Sequence, residues 1–239
     1  MKIFIPSYKR AGNVKSRKIF PSGIIVCSES EADAYRSADG EPLMVVPDLV
    51  QGNIARVRNY IFDHGEDDKI LMIDDDYNSF GYCERGVQIS MKPEEIIAFL
   101  WKGFIMAEDM GIHLWGVNVQ SDPKFYREYS PFSFTAPVLG PFQAHYKPEF
   151  RYNETDLHLK EDYDFFLMNI HKYRKVLRFN KFYYIVDHIN KKGGCGAYRT
   201  KGMEEDQLNR LRKKWGNHIV SFDLKKSINP ILHVPFGDI

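Results

Sequence analysis

The run Lys69-Ile-Leu-Met-Ile-Asp74-Asp75-Asp76 constrains this chain most. Four consecutive apolar residues bounded by charge read as a strand buried on both faces, the pattern of a parallel sheet. Its three carboxylates then emerge together at the strand's C-terminal end, where open α/β sheets bind ligands. Three crowded anions repel one another unless a cation sits among them. A hard divalent ion with oxygen ligands, Mg²⁺ or Mn²⁺, meets that demand and commonly brings a phosphate. The alternative is a solvated acidic turn that merely caps the strand.

The rest of the first half supports an α/β reading. Strands are expected at Lys2–Pro6, Gly23–Cys27 and Pro42–Pro47, with helices between them: one from the Ser28-Glu-Ser30 start to about Ala38, and one from about Asn53 to His64, stopped at Gly65. Alternation of this kind makes a mostly parallel central sheet flanked by helices. Further on, Pro93-Glu-Glu opens a helix whose buried face reads as Ile96, Ile97, Leu100, Trp101, Phe104 and Ile105, ended by Gly111. A strand follows at His113–Val119. Residues 121–150, rich in Pro and aromatics, suit loops and irregular strands around a pocket. A helix from about Glu161 to Tyr173, a strand at Lys181–His188, a glycine-rich turn at Gly193–Gly196 and a helix at Glu204–Trp215 complete the expectation.

At 239 residues the chain suits one domain, with a nucleotide-binding half over 1–80, an acceptor half over 81–200 and a C-terminal helix and tail over 201–239. A net charge of +1 gives no global argument for nucleic acid or membrane. Cys27, Cys83 and Cys195 are odd in number and lack CxxC spacing, which argues for reduced cytoplasmic thiols and against a zinc site. No apolar stretch approaches membrane-spanning length.

Three more constellations bear on the carboxylate run. Pro6-Ser7-Tyr8-Lys9-Arg10 ends the first strand and offers backbone groups, a ring and a cation; it is equally an ordinary strand-to-loop transition. Gly52-Asn53-Ile-Ala-Arg56-Val-Arg58-Asn59 opens a helix whose N–H groups and arginines suit an anion or a base edge, or form a solvated face. Lys160-Glu161-Asp162-Tyr-Asp164 places acid at a helix start, which the dipole favours regardless of function, and which also suits a general base.

In this order, the parts resemble the GT-A glycosyltransferases. Asp74, Asp75 and Asp76 match that superfamily's Asp-X-Asp motif, Glu161-Asp162 its acidic pair, and His188 its late metal-binding His. Within GT-A the chain is most similar to the TET-associated glycosyltransferases of bacteriophages, through Ile5–Arg10, Met72–Tyr77 and Lys192-Gly193-Gly194 to Arg199. The resemblance implies a single GT-A domain and an inverting, metal-dependent transfer from a nucleoside-diphosphate sugar, commonly a UDP-sugar, to a hydroxymethylated pyrimidine in phage DNA.

It implies roles too. Asp76, with Asp74 or His188, holds Mn²⁺ or Mg²⁺; Pro6, Ser7, Tyr8, Arg10, Arg56, Asn59, Asp74, Asp75, Lys192 and Arg199 contact the donor; Asp162, in preference to Glu161, is the base. His188 by itself is as readily a packed strand residue, and Lys192 and Arg199 as readily belong to a surface loop. Between His171 and Lys201, nine Lys or Arg face the single acid Asp187. Beside Tyr173, Phe179, Phe182, Tyr183 and Tyr184, this basic stripe suits nucleic acid. A glycan, lipid or protein acceptor, and a non-catalytic nucleic-acid-binding module, are the competing readings.

Overall fold

Alternation along the first strands decides the architecture. In β1 (Lys2–Pro6), Ile3 and Ile5 point to one face of the sheet and Phe4 to the other; in β2 (Ile24–Ser28), Ile25 and Cys27 oppose Val26. The computed structural model describes residues 1–186, 200–225 and 227–234. After α1 (Ala32–Ala38) come β3 (Leu43–Val46), α2 (Ile54–His64) and β4 (Lys69–Ile73), the strand that delivers the aspartates. There follow β5 (Tyr77–Glu84), β6 (Val87–Ser90), α3 (Pro93–Asp109), β7 (Leu114–Asn118), β8 (Phe132–Ser133), β9 (Phe142–Tyr146), α4 (Glu161–Tyr173) and β10 (Leu177–Val186). The described chain closes with α5 (Lys201–Trp215), β11 (Val220–Ser221) and β12 (Ile231–Leu232).

Among the described residues one ten-stranded sheet runs β3-β2-β1-β4-β9-β7-β10-β5-β6, with β8 beside β10. β1, β2, β3, β4, β6, β7 and β10 share a direction, and β5, β8 and β9 oppose it. The sheet is therefore mixed but mostly parallel. α1 and α3 cover one face through Tyr35, Phe99, Leu100 and Phe104; α2 and α4 cover the other through Val57, Ile61, Phe165 and Phe166.

Two local expectations change, and a hairpin the sequence reading did not assign is added. The irregular 121–150 segment contains β9, a fully buried central strand pairing β4 and β7. Residues 77–90 form a hairpin turned by Arg85 and Gly86, whose φ values of 49° and 76° are those of a tight primed turn. On α3, Phe99 and Gly103 face the sheet, while Trp101 and Ile105 are 44% and 53% exposed. The helix is rotated because Gly103 rests against Trp115; a Cβ there would lie 2.7 Å from ring atom Cζ2.

Candidate active site

β1 and β4 are parallel neighbours, so the β1 turn and the aspartates leave the sheet side by side. The N-termini of α2 and α4 converge on the same place, and together they enclose a cleft of about 790 Å³. Ser7 is buried; its hydroxyl donates to Asp75 Oδ2 at 2.6 Å and accepts from the Tyr35 hydroxyl at 2.9 Å. Tyr35 in turn accepts from the Arg10 backbone N–H at 3.0 Å. Burial chiefly raises this phenol to about 12, keeping it a donor. The Arg10 guanidinium pairs with Asp75 and lies 3.8 Å from Asp76 Oδ2.

Thus Asp75, both of whose oxygens are engaged, fixes Arg10 against the acidic cluster. Burial raises its pKa, and Ser7 and Arg10 oppose that rise. Asp74 is pushed up to about 7, first by burial and then by Asp76 and Asp75, against the pull of Arg58 and Arg10. Ser16 is a residue the sequence does not single out. Its buried hydroxyl donates to the Asp74 carbonyl at 2.5 Å and accepts from the Tyr77 N–H at 3.1 Å, holding the aspartate turn in place.

α2 begins at Asn53, whose side chain accepts from Ala55 N–H at 3.0 Å and donates to the Glu154 carbonyl at 2.8 Å. The arginine it sends into the cleft is Arg58. Arg56, two residues earlier, lies on the other side of the helix and donates to the Leu49 carbonyl at 2.7 Å. It lines a separate shallow depression with Glu154 and His158. Asn59 also turns away, donating to Tyr152 O and Glu154 Oε2, each at 3.0 Å. Arg56 and Asn59 therefore do not line the cleft.

Buried Arg58 forms a 2.8 Å ion pair with buried Glu161 and donates to the Gly140 carbonyl at 3.0 Å. Gly140 N–H then donates to Asp162 Oδ2 at 2.9 Å, and Tyr163 N–H to Oδ1 at 2.8 Å. Asp162 lines the cleft, half-buried, with its carboxylate aimed by two backbone donors. Each oxygen keeps a lone pair for a further donor. Lys160, also lining the cleft, is buried in a 2.6 Å ion pair with Glu204 of α5. Ile228 and Asn229 close another part of the rim.

Asp76 is 5% exposed, and its Oδ1 has no hydrogen-bond partner among the described residues. A buried carboxylate oxygen left bare, beside Asp74, fits a cation. The described residues contain no cluster of three His, Cys, Asp or Glu ligands. Such a donor set suits an ion that takes its remaining ligands from water and a phosphate. His188, Lys192 and Arg199 lie outside the described residues, as do Asp187 and Cys195. Cys27 and Cys83 are free and buried.

Four cations of the described part of the basic stripe are engaged by their own neighbours. Lys172 pairs with Glu149, Lys175 donates to the Met110 carbonyl at 2.5 Å, Arg178 to Asn180 at 2.9 Å, and Lys181 lies 3.5 Å from Glu84. Phe179, Tyr183 and Tyr184 are buried, and Phe182 stacks on Phe99 at 4.0 Å. A register shift in β10 between Phe179 and Tyr183 lets both Phe179 and Phe182 pack on Phe99 of α3, while Tyr183 lies against Gly81 of β5. Tyr173, half-buried, stacks on His113 at 4.2 Å.

The model of the family described as "TET-Associated Glycosyltransferase" matches residues 1–194. The chain belongs to that family. This TET-associated glycosyltransferase shares its fold with glucosyl-3-phosphoglycerate synthase from Mycobacterium tuberculosis, solved with Mn²⁺, UDP-glucose and glycerol 3-phosphate. That match has a TM-score of 0.56 and 12% identity, over 96% of this chain and 88% of the other. The mannosyltransferase PcManGT from Pyrobaculum calidifontis, solved with GDP-mannose and Mn²⁺, matches with a TM-score of 0.52 and 12% identity, over 89% of this chain and 64% of the other. No curated protein sequence matches significantly. The fold is GT-A and the protein is a glycosyltransferase. No described helix is long and apolar enough to cross a membrane.

Proposed function

We propose that this enzyme transfers a sugar, with inversion, from a nucleoside-diphosphate sugar to the hydroxyl of a hydroxymethylated pyrimidine in DNA, using Mn²⁺ or Mg²⁺. The observation that carries the chemistry is the division of acids around one cleft. Asp74 and Asp76 stand at the β4 end with a bare buried oxygen, whereas Asp162 stands at the α4 start, aimed by backbone donors and spared by Arg58. Solved relatives of the fold carrying UDP-glucose or GDP-mannose with Mn²⁺ support the donor class and the ion. Membership of the TET-associated family supports the DNA acceptor.

Asp76 and Asp74 would hold the cation, which when bound neutralises charge developing on the leaving diphosphate. Arg10, fixed by Asp75, adds a positive charge on the same side, and Pro6, Ser7 and Tyr8 form the nucleotide wall. Asp162 accepts the proton of the acceptor hydroxyl as that oxygen bonds to the anomeric carbon and the bond to the diphosphate oxygen breaks. The charge accumulating on the sugar ring is oxocarbenium-like.

The test is incubation with Mn²⁺, a panel of sugar nucleotides, and DNA containing 5-hydroxymethylcytosine or 5-hydroxymethyluracil, followed by nucleoside mass spectrometry. A hexose or N-acetylhexosamine mass gain, abolished by EDTA, is the expected result. Donor hydrolysis without a gain on either base would move the acceptor to another class.

A further inference from the structure

The family match ends at residue 194, yet the chain beyond it returns to the cleft. α5 lies along the segment that leads into α4. Glu204 holds Lys160, Gln207 accepts from the Leu159 N–H at 2.7 Å, and Lys214 and Trp215 grip Asp164 at 2.8 and 2.7 Å. Leu211 and Val220 join the apolar cluster beneath α4. β11 then pairs with β12, Val220 opposite Leu232 and Ser221 opposite Ile231. The pairing is reinforced by His233 N–H donating to the Ile219 carbonyl at 2.8 Å. The connection between these strands brings Ile228 and Asn229 to the rim, followed by buried Pro230.

Two exposed side chains of that rim, Ile228 and Asn229, stand at the cleft where a ligand can meet them. Ile228 is 39% exposed at the edge of a largely polar cleft. The Asn229 side-chain amide makes no hydrogen bond to a described residue, although its backbone N–H is held by Ser227 Oγ at 3.0 Å. The hairpin is mounted on α5 and the segment leading into α4, the wall that carries Asp162, whereas the opposite wall is built from the ends of β1 and β4 and the start of α2. An acceptor hydroxyl must come within hydrogen-bond reach of its base, so the body of the acceptor lies against the Asp162 wall.

We propose that Ile228 and Asn229 read the acceptor ring: Ile228 packs on its face, and the Asn229 amide pairs with its polar edge. An amide carries both donor and acceptor atoms, which matches the amide-like edge of a pyrimidine base. This inference rests on the DNA reading of the preceding subsection. It makes the residues beyond the shared family region the specificity element of this enzyme.

The experiment measures steady-state transfer by the full chain to oligonucleotides bearing 5-hydroxymethylcytosine or 5-hydroxymethyluracil, with the sugar nucleotide that wild type turns over. Asn229→Ala should raise the acceptor KM about tenfold on the preferred base, the effect of one lost hydrogen bond, while the donor KM holds. Ile228→Ala should raise the same constant, and Asn229→Asp should alter the ratio between the two bases. A melting curve for each variant separates these effects from unfolding, which an exposed turn resists. Unchanged acceptor KM and base ratio in all three variants, or a rise in donor KM alone, would overturn the assignment while leaving the DNA reading intact. A wild-type enzyme that hydrolyses donor but modifies neither base would overturn the DNA reading, and the pyrimidine assignment with it.

Discussion

Glu161 gives its carboxylate to Arg58, 2.8 Å away and equally buried, so of the two acids that open α4 Asp162 is the one without a cationic partner on its carboxylate. Asp162→Asn keeps an oxygen for the Gly140 N–H but removes the proton acceptor. Its kcat should fall by roughly 10²–10⁴, with donor affinity near wild type by calorimetry; turnover within a few-fold of wild type would move the base elsewhere. Arg58→Met should instead cost stability, about 3–5 kcal/mol in denaturant titration, because it strands a buried carboxylate. Adding Glu161→Gln should recover much of that loss, and a strictly additive double variant would show the pair to be uncoupled. The sequence offered both Glu161 and Asp162 as candidates, and it pointed to Arg56 where the arginine at the cleft is Arg58. Local spacing shows which residues sit at a helix start. Which arginine meets which acid depends on how α2 is rotated against α4, 103 positions away in the chain.

Elements with local signals were legible at their sequence positions. β1 and β4 are apolar runs, α2 has an Asn cap and a Gly stop, and α4 begins at its acids. β9 is different: its Gln143 and His145 look unfit for a buried central strand until Tyr152 is seen donating to Gln143 at 2.8 Å and standing 3.2 Å from the His145 ring. The rotation of α3 was hidden for a related reason, since Gly103 matters only through Trp115 on another element. This contact yields a prediction about α3. Gly103→Ala improves intrinsic helix stability by about 1 kcal/mol, whereas overpacking a core costs about 1–3 kcal/mol. Trp115 is fully buried and ringed by Phe99, Phe104, Phe142 and Phe179, so it has no room to yield and overpacking wins. The variant should melt about 3–6 °C below wild type. A higher Tm would show that the helix slides off Trp115 without cost.

Across the whole molecule, two buried groups set opposing pH dependences. Asp74 has an ordinary value of 3.8 and about 7 in the folded chain. The folded state therefore holds a proton that the unfolded state has released, and this contribution to stability, full below 3.8, is lost as pH rises to 7. His145 runs the other way. Burial, then the positive charge of Arg58, drives it well below 6.5, so the unfolded chain alone takes up its proton and stability falls as pH drops below that value. Each slope approaches about 1.4 kcal/mol per pH unit, so through mildly acid pH they largely cancel. Asp74→Asn removes one side of that balance. In metal-free urea titrations, wild type should gain about 2 kcal/mol relative to the variant between pH 7 and pH 5. A constant gap would mean that Asp74 ionises normally. The same proton links stability to the proposed cation: a ligand must shed it to bind, so Mn²⁺ affinity should rise with pH up to about 7 in wild type. Asp74→Asn should flatten that rise, whereas an Asp74 that stays outside the coordination shell would leave the two profiles parallel.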